Sequence, residues 1–548
     1  MSELSEEIRR EVGQHFVFGF HGHDIGDDIT KLISQYYLGN VILMKRNIRD
    51  VEQVHGLIQK LQRIAKDAGH ERPLMIGIDQ ENGLVSAFST EECGTQFPGA
   101  MAVAASGSTD LAEKVAYGSA SEMRIAGINW DYSPVADVNS DPRNPVIGVR
   151  SFGDDPQEVA RYVSAVSKGL TEARVAPSAK HFPGHGNTHV DSHLSLPRIM
   201  ASKETLAATE LVPFKALVED QVATIMTGHM ALPMITGDDT PCSLSREITT
   251  DLLRKEMHYE GLIVTDCLEM EAVAENYGSE GGAVLALQAG ADVVMICHTL
   301  GRQQGAIEKT YSAISDGSLS ILSLKDSGRR VAALKTQFAS TWDEVLSSSI
   351  DMDEWTALKH RNAYLARSAY EASTTVLRDG EDTLPLSPSS GSILVLTPRM
   401  ESINLAVDDA DGVLRDGQGR LRNTAGPSYN AFAAAVSQRT SIQHVVYGPG
   451  EEVPNDLLRS ASSIVFATRN GFDKGSWQVD CLRSLLKVLH EKPLVVVSTC
   501  APYDVLDFED FPGAVLSTME FTVSALETAV KVIFGETEGK GRIPVHLL

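Results

Sequence analysis

Eight short apolar runs recur along the first three hundred residues, each separated from the next by a stretch of helical period. They are HFVFGF (15–20), GNVILM (39–44), PLMIGID (73–79), INWDYSPVADV (128–138), VAPSAKHF (175–182), VATIMTGH (222–229), GLIVTD (261–266) and ADVVMICH (291–298). Between the second and third, DVEQVHGLIQKLQRIAKDAG carries apolar residues at 51, 54, 57, 58, 61 and 64, as one face of a helix does. Buried-type strands alternating with helices in this number predict an α/β fold, a (β/α)8 barrel, with an open doubly wound sheet as the other arrangement. The barrel reading covers residues 1–345, and a helical linker spans 346–385. From 386 to 548 a smaller α/β/α sandwich follows, with strands expected at SILVLTP, HVVYGPG, SSIVFATRN and KPLVVVSTCAP.

The ends of the eight runs carry the chemistry. Asp79, Asp137, Lys180, His181, His229, Asp266 and His298 each stand where an apolar run stops. In a (β/α)8 barrel those ends converge on one face, where the loops build the active site. A single such residue is as readily a helix N-cap or a satisfied core group; the repetition is what points to a site.

After the fifth run comes KHFPGHGNTHVDSHLSLP (180–197), with histidines at 181, 185, 189 and 193. On a helix, residues four apart share a face and two histidines so placed can hold zinc. Pro183, Gly184 and Gly186 argue against a helix here, so the segment reads as a loop on the catalytic face. Within it Asp191 and His193 lie two apart, close enough for the carboxylate to orient and charge-stabilise an imidazole acting as acid and base. An Asx-type turn beside a solvated histidine fits the same spacing. Asp266, ending the apolar strand of IVTDCLEM, projects a carboxylate toward the mouth.

A formal net charge of −25 argues against unaided binding to nucleic acid or anionic membrane, and no apolar stretch approaches membrane-spanning length. A small or neutral partner fits better. The six cysteines lack CxxC spacing and read as free thiols. The acidic, polar start MSELSEEIRREVGQ is unlike a secretory signal, so a cytoplasmic protein is expected.

Four ordered motifs carry a resemblance: LGNVILMKRN (38–47), NPVIGVRSFG (144–153), KHFPGHGNTHVDSH (180–193) and VTDCLEM (264–270). Over residues 13–300 the chain resembles glycoside hydrolase family 3, in its β-N-acetylglucosaminidase (NagZ-type) branch. The resemblance implies an exo-acting, retaining hydrolase of terminal β-linked GlcNAc from chitin- or peptidoglycan-derived oligosaccharides, without metal or cofactor. It implies Asp266 as the nucleophile, His193 as acid/base with Asp191 as its partner, and Asp79, Arg150, Lys180 and His181 as ligands of the sugar. One departure stands out. The family's DQEGGRVxR reads here DQENGLVSA (79–87), with both arginines lost, to Leu84 and Ala87. A phosphorylase of the same family is the alternative, since a histidine acid/base tolerates an anionic acceptor better than a carboxylate does. A metal-dependent hydrolase built on the histidine cluster is a second one.

Overall fold

The computed structural model describes residues 4–90, 92–188, 192, 195–388, 391–399, 425–472, 475–489, 492–505 and 511–546. All eight apolar runs form parallel strands: β1 (Phe16–Phe18), β2 (Asn40–Leu43), β3 (Met75–Ile78), β4 (Trp130–Asp131), β5 (Ala176–Phe182), β6 (Thr224–Thr227), β7 (Leu262–Cys267) and β8 (Val293–Ile296). They close in sequence order, with β1 pairing both β2 and β8. The barrel is therefore the arrangement adopted, and the open sheet is excluded.

Alternation along the strands divides the barrel into two apolar layers. Val17, Ile42, Met75, Trp130, Val264, Val293 and Met295 fill the interior, while Phe16, Phe18, Val41, Ile76 and Ile263 face the surrounding helices. The helix predicted between β2 and β3 runs Val51–Asp67, capped by the Asp50 carboxylate, which accepts the Gln53 N–H at 2.7 Å. It buries Val51, Val54, Leu57, Ile58 and Leu61 on the predicted face. No helix among the described residues is long and apolar enough to cross a membrane.

A long helix, Met352–Ser373, leads from the barrel into a second sheet made of β9 (Thr375–Asp379), β10 (Ile393–Pro398), β11 (Ile442–Tyr447), β12 (Ser463–Arg469), β13 (Leu494–Thr499) and β14 (Ala514–Ser517). Its order is β9-β14-β13-β12-β10-β11, parallel except for the edge strand β9, which runs antiparallel to β14. Val395, Val465 and Val495 pack into one apolar cluster, and Leu394, Ile464 and Val496 into another. Both faces of this sheet are thus covered, giving the three layers of a sandwich. Two strands escape the sequence reading. TVLRD is a largely half-exposed edge strand within the stretch read as linker, and AVLS is only four residues long.

The two domains are joined at the barrel mouth. Leu84 and Val149 of the barrel loops pack against the second domain's core. Asn139 Nδ2 donates to the Tyr503 hydroxyl at 2.9 Å, and the Gly99 N–H donates to Glu520 Oε2 at 2.7 Å. Gly83 and Gly99 make room for that carboxylate, because a Cβ on Gly83 would stand 2.7 Å from Glu520 Oε2. Leu84 is one of the two positions where the family motif has arginine. Here it serves as an apolar contact between domains.

Burial pushes the Glu520 carboxyl up to about 7, against the Gly99 and Phe521 amides that favour its charged form. A free glutamate titrates near about 4.3, so the folded protein binds this proton more tightly than the unfolded chain. Its contribution is complete below about pH 4.3 and lost as pH rises through 7. Glu520→Gln, which keeps an acceptor without the charge, should gain on the wild type by on the order of 3 kcal/mol between pH 4.5 and 8. Paired melting curves across that range check it; a constant difference in Tm would sink it. Asp504, also pushed up to about 7 by burial, is common to both proteins and cancels in the comparison.

Candidate active site at the barrel mouth

Strand ends bring four charged groups together. Asp79 follows β3 and leads into a small ribbon, Gln80–Asn82 with Val85–Ser86, that carries Glu81. Lys180 lies near the end of β5, and Arg150 in the short helix Gly148–Arg150 after β4. Lys180 Nζ donates to Asp79 Oδ1 and to Glu81 Oε1, each at 2.7 Å. Arg150 grips Glu81 with both arms, Nε to Oε2 at 2.9 Å and Nη2 to Oε1 at 2.7 Å. Side-chain exposure is 3% for Lys180, 5% for Glu81 and 8% for Arg150, against 29% for Asp79. Three of the charges are sealed against each other, and Asp79 is the one presented to the mouth.

Burial would raise the Glu81 carboxyl, but the Arg150 and Lys180 cations outweigh it and hold it at about 2. The carboxylates in turn overcome the burial cost on Lys180 and Arg150 and push both above their ordinary values. Glu81, Lys180 and Arg150 are charged at neutral pH. Asp131 beneath them goes the other way: burial lifts its carboxyl well above the usual range, although Lys180 and the Gln80 amide draw it down.

A second cluster holds the histidine loop. Asp137 is buried and accepts the His181 Nδ1–H at 2.7 Å, the His181 N–H at 3.1 Å and the His185 N–H at 2.7 Å. Burial alone would raise Asp137, yet His181 and these hydrogen bonds hold it below its ordinary value. An ionised carboxylate only accepts, so His181 Nδ1 is the donor of this hydrogen bond. His185 is buried, and burial lowers it to about 4, so it is neutral. Its Nε2 pairs with the Ser192 hydroxyl at 3.0 Å, and Asn144 Nδ2 holds its carbonyl at 2.8 Å. Gly186 is a close approach, because a Cβ there would lie 1.5 Å from the Val138 carbonyl oxygen. The described part of the loop is not helical, as its proline and glycines predict. Asp191, His193 and the neighbouring His189 lie outside the described residues.

Asp266 is in β7, at the same end of the barrel, and its Oδ1 accepts the N–H of Cys267 at 2.7 Å. His229, buried after β6, fixes the next carbonyl: its Nε2 bonds Cys267 O at 2.9 Å while its Nδ1 bonds the Ser243 hydroxyl at 2.7 Å. The residue after Asp266 is thus held at both its N–H and its carbonyl. His298 is outside this group and pairs with Glu269.

Of the residues the sequence puts forward, the structure joins Asp79, Lys180 and Arg150 in one charge cluster, sets His181 on Asp137 and places Asp266 on the same face. Glu81, which ties Lys180 to Arg150, was the group the strand-end pattern passed over, because it lies three residues past the end of β3. A buried charge cluster with one accessible carboxylate, beside a carboxylate held at a strand end, suits a neutral, polyhydroxylated ligand whose hydroxyls need charged partners in place of water.

Comparison with known proteins agrees with that chemistry. A curated β-hexosaminidase A from Pseudoalteromonas piscicida is 28% identical over 94% of this chain and 90% of its own length. The solved structure of a glycoside hydrolase family 3 β-N-acetylglucosaminidase from Paenibacillus sp. str. FPU-7 is 30% identical, covers 100% of this chain and 99% of its own, and superposes with a TM-score of 0.85. A fungal multi-domain β-N-acetylglucosaminidase of that family is 38% identical over 98% of this chain, with a TM-score of 0.89, and this chain spans 60% of its length. The family model for the glycosyl hydrolase family 3 N-terminal domain matches residues 7–334. The chain belongs to glycoside hydrolase family 3.

Proposed function

We propose that this protein is an exo-acting, retaining β-N-acetylglucosaminidase that removes terminal β-linked GlcNAc from chitin- or peptidoglycan-derived oligosaccharides. The observation that carries the reading is Asp266 at the end of β7, on the barrel face that also holds the Asp79–Lys180–Glu81–Arg150 cluster. The names of the relatives support the sugar. Asp79 and Lys180 accept and donate to the hydroxyls of the terminal residue, with Arg150 holding them through Glu81, and His181 adds its Nε2.

In this mechanism Asp266 attacks the anomeric carbon and the bond to the leaving oxygen breaks, while His193 supplies that oxygen's proton. Water deprotonated by His193 then displaces Asp266 and regenerates the enzyme. Asp191 orients the imidazole and stabilises its protonated form. The usual retaining site has two carboxyl groups about 5 Å apart. Imidazole in place of the second puts no negative charge beside the attacking carboxylate. His185, Ser192 and Asn144 anchor the base of the loop that carries this dyad.

A panel of aryl β-glycosides, assayed with and without inorganic phosphate, tests the reading. Release of free GlcNAc from the GlcNAc member at a rate indifferent to phosphate is expected; a sugar phosphate as product would replace it with phosphorolysis. His193→Ala sharpens the test. Good aryl leaving groups should depart almost unaided and leave a stalled glycosyl-enzyme, seen as a burst of phenol, whereas natural oligosaccharides should lose about 10²–10⁴-fold. Azide, which needs no base, should restore turnover and yield the β-glycosyl azide. Equal losses on good and poor leaving groups, with no burst and no rescue, would remove His193 from the acid/base role.

A further inference from the structure

Beside the sugar site lies a pair of groups that glycoside cleavage does not use. Cys267 is the last residue of β7, next to Asp266, and Cys297 follows Ile296 at the end of β8. These strands are neighbours, with Met295 opposite Cys267 and a register shift just before it. Both cysteines pack against the same interior cluster, which includes Val264, Val293 and Met295. The two thiols interact, and that interaction, with burial, pushes the Cys297 thiol up. Both are free thiols and half-buried, whereas Cys93, Cys242 and Cys500 are buried.

We propose that Cys267 and Cys297 are a redox-modification site, at which hydrogen peroxide closes a disulfide beneath the sugar pocket and reversibly stops turnover. Cys267 sulfur attacks one peroxide oxygen, the O–O bond breaks, and the other oxygen leaves as water with the Cys267 proton, so that Cys267 becomes a sulfenic acid. Cys297 sulfur then attacks Cys267 sulfur. The S–O bond breaks as the S–S bond forms, and the departing hydroxide takes the Cys297 proton and leaves as the second water. Two thiols are oxidised and one peroxide is reduced to two waters. The neighbouring Cys267, burial and the Asp79 and Asp266 carboxylates all push the Cys297 thiol up, so it keeps its proton and serves as the second, resolving thiol.

A disulfide bond is about 2.05 Å long, far shorter than a hydrogen-bonded contact between thiols. Closing it draws the end of β7 toward β8. Asp266 moves with it, because its Oδ1 is bonded to the Cys267 N–H. A displacement of about 1 Å at a reacting group costs on the order of 10²-fold in rate. The expected loss of activity rests on Asp266 as nucleophile; the cross-link itself does not.

The test treats the full chain with hydrogen peroxide, follows hydrolysis of an aryl β-N-acetylglucosaminide, and maps peptides without reduction. We expect a loss on the order of 10²-fold, a peptide joining Cys267 to Cys297, and recovery of both thiols and activity with dithiothreitol. Cys297→Ser should be as active as the wild type before treatment, but its loss should resist dithiothreitol, because Cys267 then oxidises onward to sulfinic acid. Cys267→Ser should resist peroxide. Cys297→Ala and Cys267→Ala repeat the comparison if circular dichroism finds either serine variant unfolded. Absence of the joined peptide, or inactivation of the same depth and reversibility in both variants, overturns the proposal. An untreated enzyme that does not cleave the GlcNAc substrate overturns the functional reading instead, and the peptide map still decides the site.

Discussion

Asp266→Ala should lose turnover on every β-glycoside by on the order of 10⁴-fold or more, whatever the leaving group, while the barrel stays folded. The side chain is half-buried at the end of β7, where its Oδ1 accepts the amide N–H of the next residue. Removing it therefore takes away a nucleophile and little packing. Because the covalent step itself is lost, a better aryl leaving group should not help, in contrast to His193→Ala. Azide offers an independent check. An anion entering from the side the carboxylate vacated attacks the face opposite the leaving group, so rescue should give the α-glycosyl azide, the opposite anomer from the His193 variant. Residual activity within tenfold of the wild type, or the β-azide, would show that another group attacks the anomeric carbon.

Glu81→Ala should be the most destabilising single change in the site, costing about 3–5 kcal/mol. The carboxylate accepts three charge-assisted hydrogen bonds from Arg150 and Lys180, and the side chains of all three are at least nine-tenths buried. Among the described residues, its removal leaves Arg150 with the Val146 carbonyl, at 3.0 Å, and Lys180 with Asp79. The pH dependence has a fixed sign. Held at about 2 in the fold, Glu81 stabilises above about pH 4.3, and that contribution is lost as pH falls toward 2. The wild type and the variant should thus differ most near neutrality and converge in acid. Thermal melts at pH 7 and pH 3 check this; a difference that grows on acidification would contradict it. Activity should fall as well, since Lys180 and Arg150 lose the group that sets their positions.

The fold was largely legible because a barrel repeats its signal. Each strand needs a buried apolar run, and eight of them at near-regular spacing leave few alternatives. β4 shows the limit of such reading: eleven residues of INWDYSPVADV look strand-like, but only Trp130–Asp131 form the strand, and the chain then turns through Ser133–Pro134 to deliver Asp137 to the histidine loop. The site was legible where chemistry sits at strand ends. Glu81 was not, because its importance lies in partners 69 and 99 residues away along the chain. Leu84 was misleading for the same reason. Read along the sequence it is a missing arginine; in three dimensions it touches a domain that begins almost three hundred residues later.

The far end of the described chain returns to the barrel. The Arg542 N–H bonds the Ala105 carbonyl at 2.7 Å, and the His546 N–H bonds Asp154 at 2.6 Å, while Pro544 lies against Gly153. A ribosome adds about 5–20 residues per second, so the segment that covers Gly153 is made roughly 20–80 s after it. During that interval the barrel loops carrying Leu84 and Val149 stand without the surface they pack against. The apolar contacts of those loops therefore stay bare through most of the chain's synthesis, and a pause between the two domains would lengthen the time they are uncovered.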